Sequence, residues 1–124
     1  MTLKQIQESL GAEVIIGADK LDMNITIGCA ADLMSDILAY ASPGALLLTG
    51  LTNPQVIRTA EMNDIPAICF VRAKRPDKTI TSLAEDLNMV LLRTSLPMFE
   101  SCGRLYSKGI LGLGHLDPEI NGRE

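Results

Sequence analysis

The sequence predicts an α/β fold: one domain built on a mainly parallel sheet of about five strands, with helices on both faces. Three short apolar runs, Ala45 to Leu48, Ala67 to Val71 and Val90 to Leu92, recur every 22 or 23 residues. Strands alternating with helices at that spacing imply βαβ units. The runs are almost continuously apolar, as strands are when both sheet faces are covered. Each ends in a polar turn that leads through a proline toward a helical pattern: Thr49 to Pro54, Arg72 to Asp77, and Arg93 to Pro97.

The elements follow in order. Thr2 can cap a first helix whose apolar positions Leu3, Ile6 and Leu10 keep the 3-and-4 spacing, and Gly11 ends it. Glu13 to Ile16 and Ile25 to Cys29 are strand candidates around the polar loop Gly17 to Asn24. Eight residues is long for a hairpin loop, so the sequence leaves open whether the two pair. Asp32 is expected to cap a second helix carrying Leu33, Ile37 and Leu38, closed by Ser42-Pro43-Gly44. The three strand–turn–helix units come next, with helices over about Pro54 to Met62, Thr79 to Leu87 and Pro97 to Lys108. Asn53-Pro54 joins a capping side chain to proline at the first helical position, and Ser95 with Pro97 offers a looser version. Residues 1–108 are thus expected to form the domain. The glycine-rich stretch Gly109 to His115 and the polar end Asp117 to Glu124 are expected to form a tail or arm.

Composition bounds the function. A chain of 124 residues with 47% apolar content can bury a core, supplied here by Leu, Ile, Val, Met and Ala. Aromatic residues are scarce (3%) and the net charge is −4, whereas single-strand binding relies on stacking and nucleic-acid domains are usually basic. A nucleic-acid partner is therefore not expected. Cys29, Cys69 and Cys102 are odd in number and lack the spacing of a zinc or iron–sulfur site, so Cys69 and Cys102 read as small buried apolar residues. Asp19, Asp22 and Asp32 have no metal-loop spacing, and no metal or cofactor is expected. The start of the chain does not read as a signal peptide, and no apolar stretch approaches the ~20 residues of a membrane span. Reduced cysteines without an export signal imply a cytoplasmic protein with no membrane partner.

In a parallel sheet the turns after the strands gather on one edge, where open α/β folds bind ligands. Right-handed crossovers would bring Thr49, Arg72 and Arg93 to that edge. The candidate ligand residues are Thr49, Gly50, Thr52, Asn53, Arg72, Lys74, Arg75, Arg93, Thr94 and Ser95. Glycine admits a close approach of backbone to ligand, and free amides at a helix start suit an anion. The planar fork of arginine suits phosphate or carboxylate, and Asp77 is expected to orient one of the cations. General acid–base work needs a group that titrates near neutrality. His115 is the only one by its unperturbed value, and it sits in the tail, where exposure to solvent is expected. The edge reads as a place to bind and not to catalyse. A small, apolar-rich domain with Leu111 and Leu113 in its tail is also expected to form a homodimer, the commonest closed assembly.

Ala45 to Gly50 (ALLLTG), Ile65 to Val71 (IPAICFV) and Val90 to Ser95 (VLLRTS) together resemble the DRTGG domain family. They are also similar to the N-terminal, non-catalytic domain of HPr kinase/phosphorylase, which has a similar strand and turn. Ala12 to Gly17, Leu21, Ile25, Ile27 and Gly28 occupy the pattern with which the family opens, so the resemblance covers about Leu3 to Lys108. It implies a regulatory or accessory module, in some members beside nucleotide-sensing CBS domains. It also implies an alternative, a protein–protein adaptor accessory to an anaerobic, iron-hydrogenase-type system. Two departures stand out. Thr52-Asn53 replaces an Asp-Arg pair, and Val71-Arg72-Ala73 replaces Thr-Gly-Gly, so the family's residues at those positions are not carried over. The kinase's phosphate-binding loop is absent as well, and no kinase activity is implied.

Overall fold

The computed structural model describes residues 1–72, 75–115 and 119 of the chain. Its elements are α1 (Leu3–Leu10), β1 (Glu13–Ile16), β2 (Gly28–Ala30), α2 (Met34–Tyr40), β3 (Leu46–Thr49), α3 (Pro54–Met62), β4 (Ala67–Phe70), α4 (Lys78–Asp86), β5 (Val90–Arg93) and α5 (Met98–Ser107). They form a five-stranded sheet in the order β1-β5-β4-β3-β2. The four strands from β2 to β5 run parallel, and β1 pairs antiparallel with β5. The expected α/β class and the mainly parallel sheet are observed, with one antiparallel pair. The loop joining β1 to β2 carries the chain across the whole sheet, so the two strands form opposite edges and not a hairpin. The second strand is also shorter than expected: Ile25 is buried beside Met1, bonded through its amide to the Met1 carbonyl at 2.7 Å, and β2 proper starts at Gly28.

Local chemistry explains most boundaries. Thr2 and Gln5 form a reciprocal capping box at the start of α1, and Gly11 closes the helix in the left-handed conformation at φ 58°. The Asn53 side chain accepts from the Val56 amide, with Pro54 as the first residue of α3. Asp77 caps α4 by accepting from Ile80. That corrects the expectation that Asp77 orients an arginine, because a carboxylate beside a free helix amide is satisfied locally first. Asp32 departs from expectation in the opposite sense. Leu33 is the N-cap of α2 and no side chain caps it, which frees Asp32 for contacts described below.

Two apolar clusters cover the two sheet faces. Leu46, Leu48, Ala67, Cys69, Val90 and Leu92 pack with Leu3, Ile6, Leu10 and Leu105 from α1 and α5. Leu47, Ile68, Phe70 and Leu91 pack with Ile37, Val56, Ile57, Ile80 and Ala84 from α2, α3 and α4. Alternate strand residues thus point to opposite, fully covered faces, which is why the strands read as unbroken apolar runs. Residues 109–111, expected in the arm, pack on the domain: Ile110 joins the first cluster, and Leu111 bridges to Ile27 beside β2. The remainder of the expected arm beyond His115 lies outside the described residues, Glu119 excepted.

Candidate functional site

The parallel register decides which side chains share an edge. Thr49 of β3 lies opposite Phe70 of β4, and Phe70 opposite Arg93 of β5. The turns after these strands therefore open on one edge, and Thr49, Gly50, Arg72, Arg93 and Thr94 come together there. Lys74 lies outside the described residues, and so does the side chain of His115.

Two carboxylates organise this edge. Asp32, in the link from β2 to α2, accepts at Oδ1 from the Gly50 amide (2.7 Å) and the Thr49 hydroxyl (3.1 Å). Its Oδ2 accepts from Arg72 Nη2 at 2.8 Å. Burial pushes the Asp32 carboxyl up, but the Gly50 amide, the Arg72 guanidinium and the Thr49 hydroxyl outweigh it and hold it below its ordinary value. Glu13, at the start of β1, receives Arg75 Nη1 at Oε1 (2.6 Å) and Arg93 Nη1 at Oε2 (3.1 Å). The hydrogen bond from Arg75 is the main reason that the Glu13 carboxyl also sits below its usual value. These pairs are open to water: the Arg72 and Arg75 side chains are 56% and 58% exposed, and Arg93 is 27% exposed. The Arg93 Nε, by contrast, is buried and has no hydrogen-bond partner among the described residues.

The hydroxyls and amides divide into committed and open groups. Thr94 is buried and donates to the Leu10 carbonyl at 2.8 Å, which ties the turn to the end of α1. Asn53 is engaged in capping α3. Thr52 is partly buried and Ser95 is exposed, both in the same turns. Sequence reasoning missed both Glu13 and Asp32 as edge residues. The first reads as an ordinary strand start and the second as a helix cap.

Backbone geometry marks Arg72 as unusual. Its φ is 67°, in the left-handed region that a residue with a Cβ rarely adopts. The Arg72 amide donates to the Leu96 carbonyl at 3.0 Å, fixing the turn after β4 against the turn after β5. Its guanidinium lies directly over Gly50, where any Cβ would collide with Nη2. Glycine at 50 thus admits the arginine.

No catalytic constellation accompanies these groups among the described residues. The three cysteines are free, and burial pushes the Cys29 thiol up to about 11 and the Cys69 thiol to about 12, so both are protonated and unreactive near neutrality. Among the described residues no group of three histidine, cysteine or acidic side chains is arranged to hold a metal ion. None of the described helices is long and apolar enough to cross a membrane.

Comparison with curated proteins gave no match. Among solved structures, the chain is similar to the CBS and DRTGG domains of the regulatory region of Clostridium perfringens pyrophosphatase, determined in complex with its activator diadenosine tetraphosphate. The TM-score is 0.68 at 18% identity, over 89% of this chain and 46% of that one. The chain thus spans about half the length of that regulatory region, and at this identity the likeness speaks for the fold. The DRTGG domain matches residues 5–107, nearly all of the sheet and its helices, and the chain belongs to that family.

Proposed function

We propose that this chain is a non-catalytic, cytoplasmic regulatory module that takes an anionic small molecule, a nucleotide or a phosphorylated metabolite, at the C-terminal edge of its sheet. One observation carries the reading: the neighbouring parallel strands β4 and β5, in register, bring Arg72, Arg75 and Arg93 to a single edge, with the first two more than half exposed. The buried Arg93 Nε, a donor without a partner among the described residues, adds to it. The nucleotide activator in the structure of the Clostridium perfringens regulatory region supplies a chemically sensible probe.

Isothermal titration of the full chain against diadenosine tetraphosphate, adenine nucleotides and sugar phosphates tests this. Binding is expected, and Arg75→Ala should weaken it by about 1.5–3 kcal/mol, the range for a hydrogen bond to a charged group. The stability of the free chain should barely change, because the exposed Arg75–Glu13 pair contributes little. Uniform absence of heat at millimolar ligand overturns the reading.

The adaptor alternative has its own support in large apolar side chains left in water, among them Leu33, Leu38, Phe99 and Tyr106. A homodimer is proposed under either reading. Leu111 is exposed beside the edge strand β2, where an apolar groove of about 160 Å³ is lined by Cys29, Cys102, Tyr106 and Leu111. Light scattering on the full chain should give twice the monomer mass, and Leu111→Asp should restore the monomer. A monomeric natural chain removes the dimer.

A further inference from the structure

We propose that the Gly50 amide, the Thr49 hydroxyl and the Arg72 guanidinium form a phosphoryl-binding cradle that the chain keeps closed with its own Asp32 carboxylate. The proposal rests on the anionic-ligand reading above and specifies where and how that edge is regulated.

Three donors of three kinds, from two different turns, converge on one carboxylate at 2.7, 2.8 and 3.1 Å. A backbone amide, a hydroxyl and an arginine fork together make a donor set suited to an oxyanion, because each bond to an ionised acceptor is charge-assisted. A carboxylate offers two oxygens to such a set, whereas a terminal phosphoryl group offers three and more negative charge. Two features of the backbone keep the cradle open to its guanidinium. Residue 50 has no Cβ to push Arg72 away, and Arg72 holds a left-handed conformation at φ 67°. A conformation this unfavourable persists only when its surroundings enforce it, and such strain collects at ligand clamps and switches.

The stopper is placed so that it can leave. Asp32 is 44% exposed and lies in the short link Ala31 to Leu33, between an edge strand and a helix that no side chain caps. Rotating its carboxylate into water breaks three hydrogen bonds and opens no core, since the residue that follows, Leu33, is itself 60% exposed. Glu13, the other carboxylate on the edge, is instead part of a strand paired with β5. A ligand that displaces Asp32 would free its side chain from the turns after β3 and β4, just ahead of α2. Until displaced, the carboxylate lowers the apparent affinity by the fraction of molecules in which the cradle is closed.

Titration of the full chain with inorganic pyrophosphate tests this. Asp32→Ala and the near-isosteric Asp32→Asn should both bind about tenfold or more tightly than the natural chain, because a competing charge-assisted contact is gone. Adding Arg72→Ala to Asp32→Ala should cancel the gain, and the Gly50 amide resonance should move on titration in the open variants. Asp19→Asn makes the same change in net charge on the exposed turn after β1, and should bind like the natural chain. Pyrophosphate binding to the natural chain with no gain in either Asp32 variant overturns the closed cradle and leaves the ligand reading standing. An equal gain in Asp19→Asn overturns it as well, since the effect is then one of overall charge. No binding by any variant overturns both.

Discussion

Thr49 and Thr94 are the same device used twice. Each is a buried hydroxyl, Thr49 as the last residue of β3 and Thr94 as the residue just after β5, and each accepts from the amide two residues further on at 3.2 Å. They differ in where the hydroxyl proton goes. Thr94 gives it to the Leu10 carbonyl, a main-chain acceptor at the end of a packed helix. Thr49 gives it to Asp32, a half-exposed carboxylate that also holds an arginine. One turn is thereby joined to the core, while the other is joined to a group that can titrate, rotate or be replaced. The C-terminal edge of the sheet thus has a fixed half around β5 and an exchangeable half around β3.

The largest effect expected from this contrast is on stability. Thr94→Val keeps the shape of the side chain but strands the Leu10 carbonyl and the Leu96 amide, and Thr94 itself is only 1% exposed. Leaving buried polar groups unsatisfied costs about 1–3 kcal/mol. Thr49→Val strands the Leu51 amide in the same way, but Asp32 can turn to water for its lost donor, so the variant should cost less, about 1 kcal/mol. Urea denaturation midpoints of the two variants decide it, and equal losses would erase the distinction between the halves.

How much of this was legible in the sequence follows the same division. The fold was legible because its determinants are local. The Thr2 cap, the Asn53-Pro54 start and the three apolar runs each lie within a few residues of what they specify. The placement of β1 was not, because a strand of four residues carries no signal for which edge it joins. Its place is set by partners distant in the chain: it pairs with β5 from Glu13↔Arg93 to Ile16↔Leu91, and Val14 and Ile16 pack against the two core clusters. Asp32 misled for a related reason. An acidic residue just ahead of a helical pattern usually caps it, and nothing local announces an arginine 40 residues on that competes for the same carboxylate. The candidate edge was therefore visible as a set of donors, while the acceptors that organise them were not.

Acid should separate the halves more gently. Asp32 is held below its ordinary value of 3.8 in the fold, so the unfolded chain takes up the proton first as pH falls. The stability that Asp32 contributes is complete above 3.8 and is lost as pH drops through the lower folded value. Asp32→Asn should therefore differ from the natural chain near neutrality by at most about 1 kcal/mol, the scale of an exposed pair, and the difference should fade below 3.8. The Thr94→Val loss should persist over the same pH range, since no titrating group takes part in its bonds. Thermal unfolding at stepped pH measures both, and a Thr94→Val loss that also faded would make the fixed half titratable too.

The smallest change is expected where the backbone is most strained. Among the described residues, three with a Cβ adopt positive φ: Asp64 at 54°, Asn88 at 56° and Arg72 at 67°. Asp64 and Asn88 precede β4 and β5 at the opposite end of the sheet, and aspartate and asparagine tolerate the left-handed region. Arginine has no such excuse, and the conformation costs it roughly 1–2 kcal/mol. Arg72→Gly removes that cost and keeps the amide that donates to Leu96, but loses the ion pair to Asp32, which at its exposure is worth about 0–1 kcal/mol. Glycine also has more freedom to lose from the unfolded chain, about 0.4–1 kcal/mol, so the terms nearly cancel and the variant should be as stable as the natural chain or up to about 1 kcal/mol more stable. Its anion binding should nevertheless fall with the loss of the guanidinium. A clear loss of stability would mean that the Arg72–Asp32 pair holds the edge together as Thr94 does, and the exchangeable half would then be structural after all.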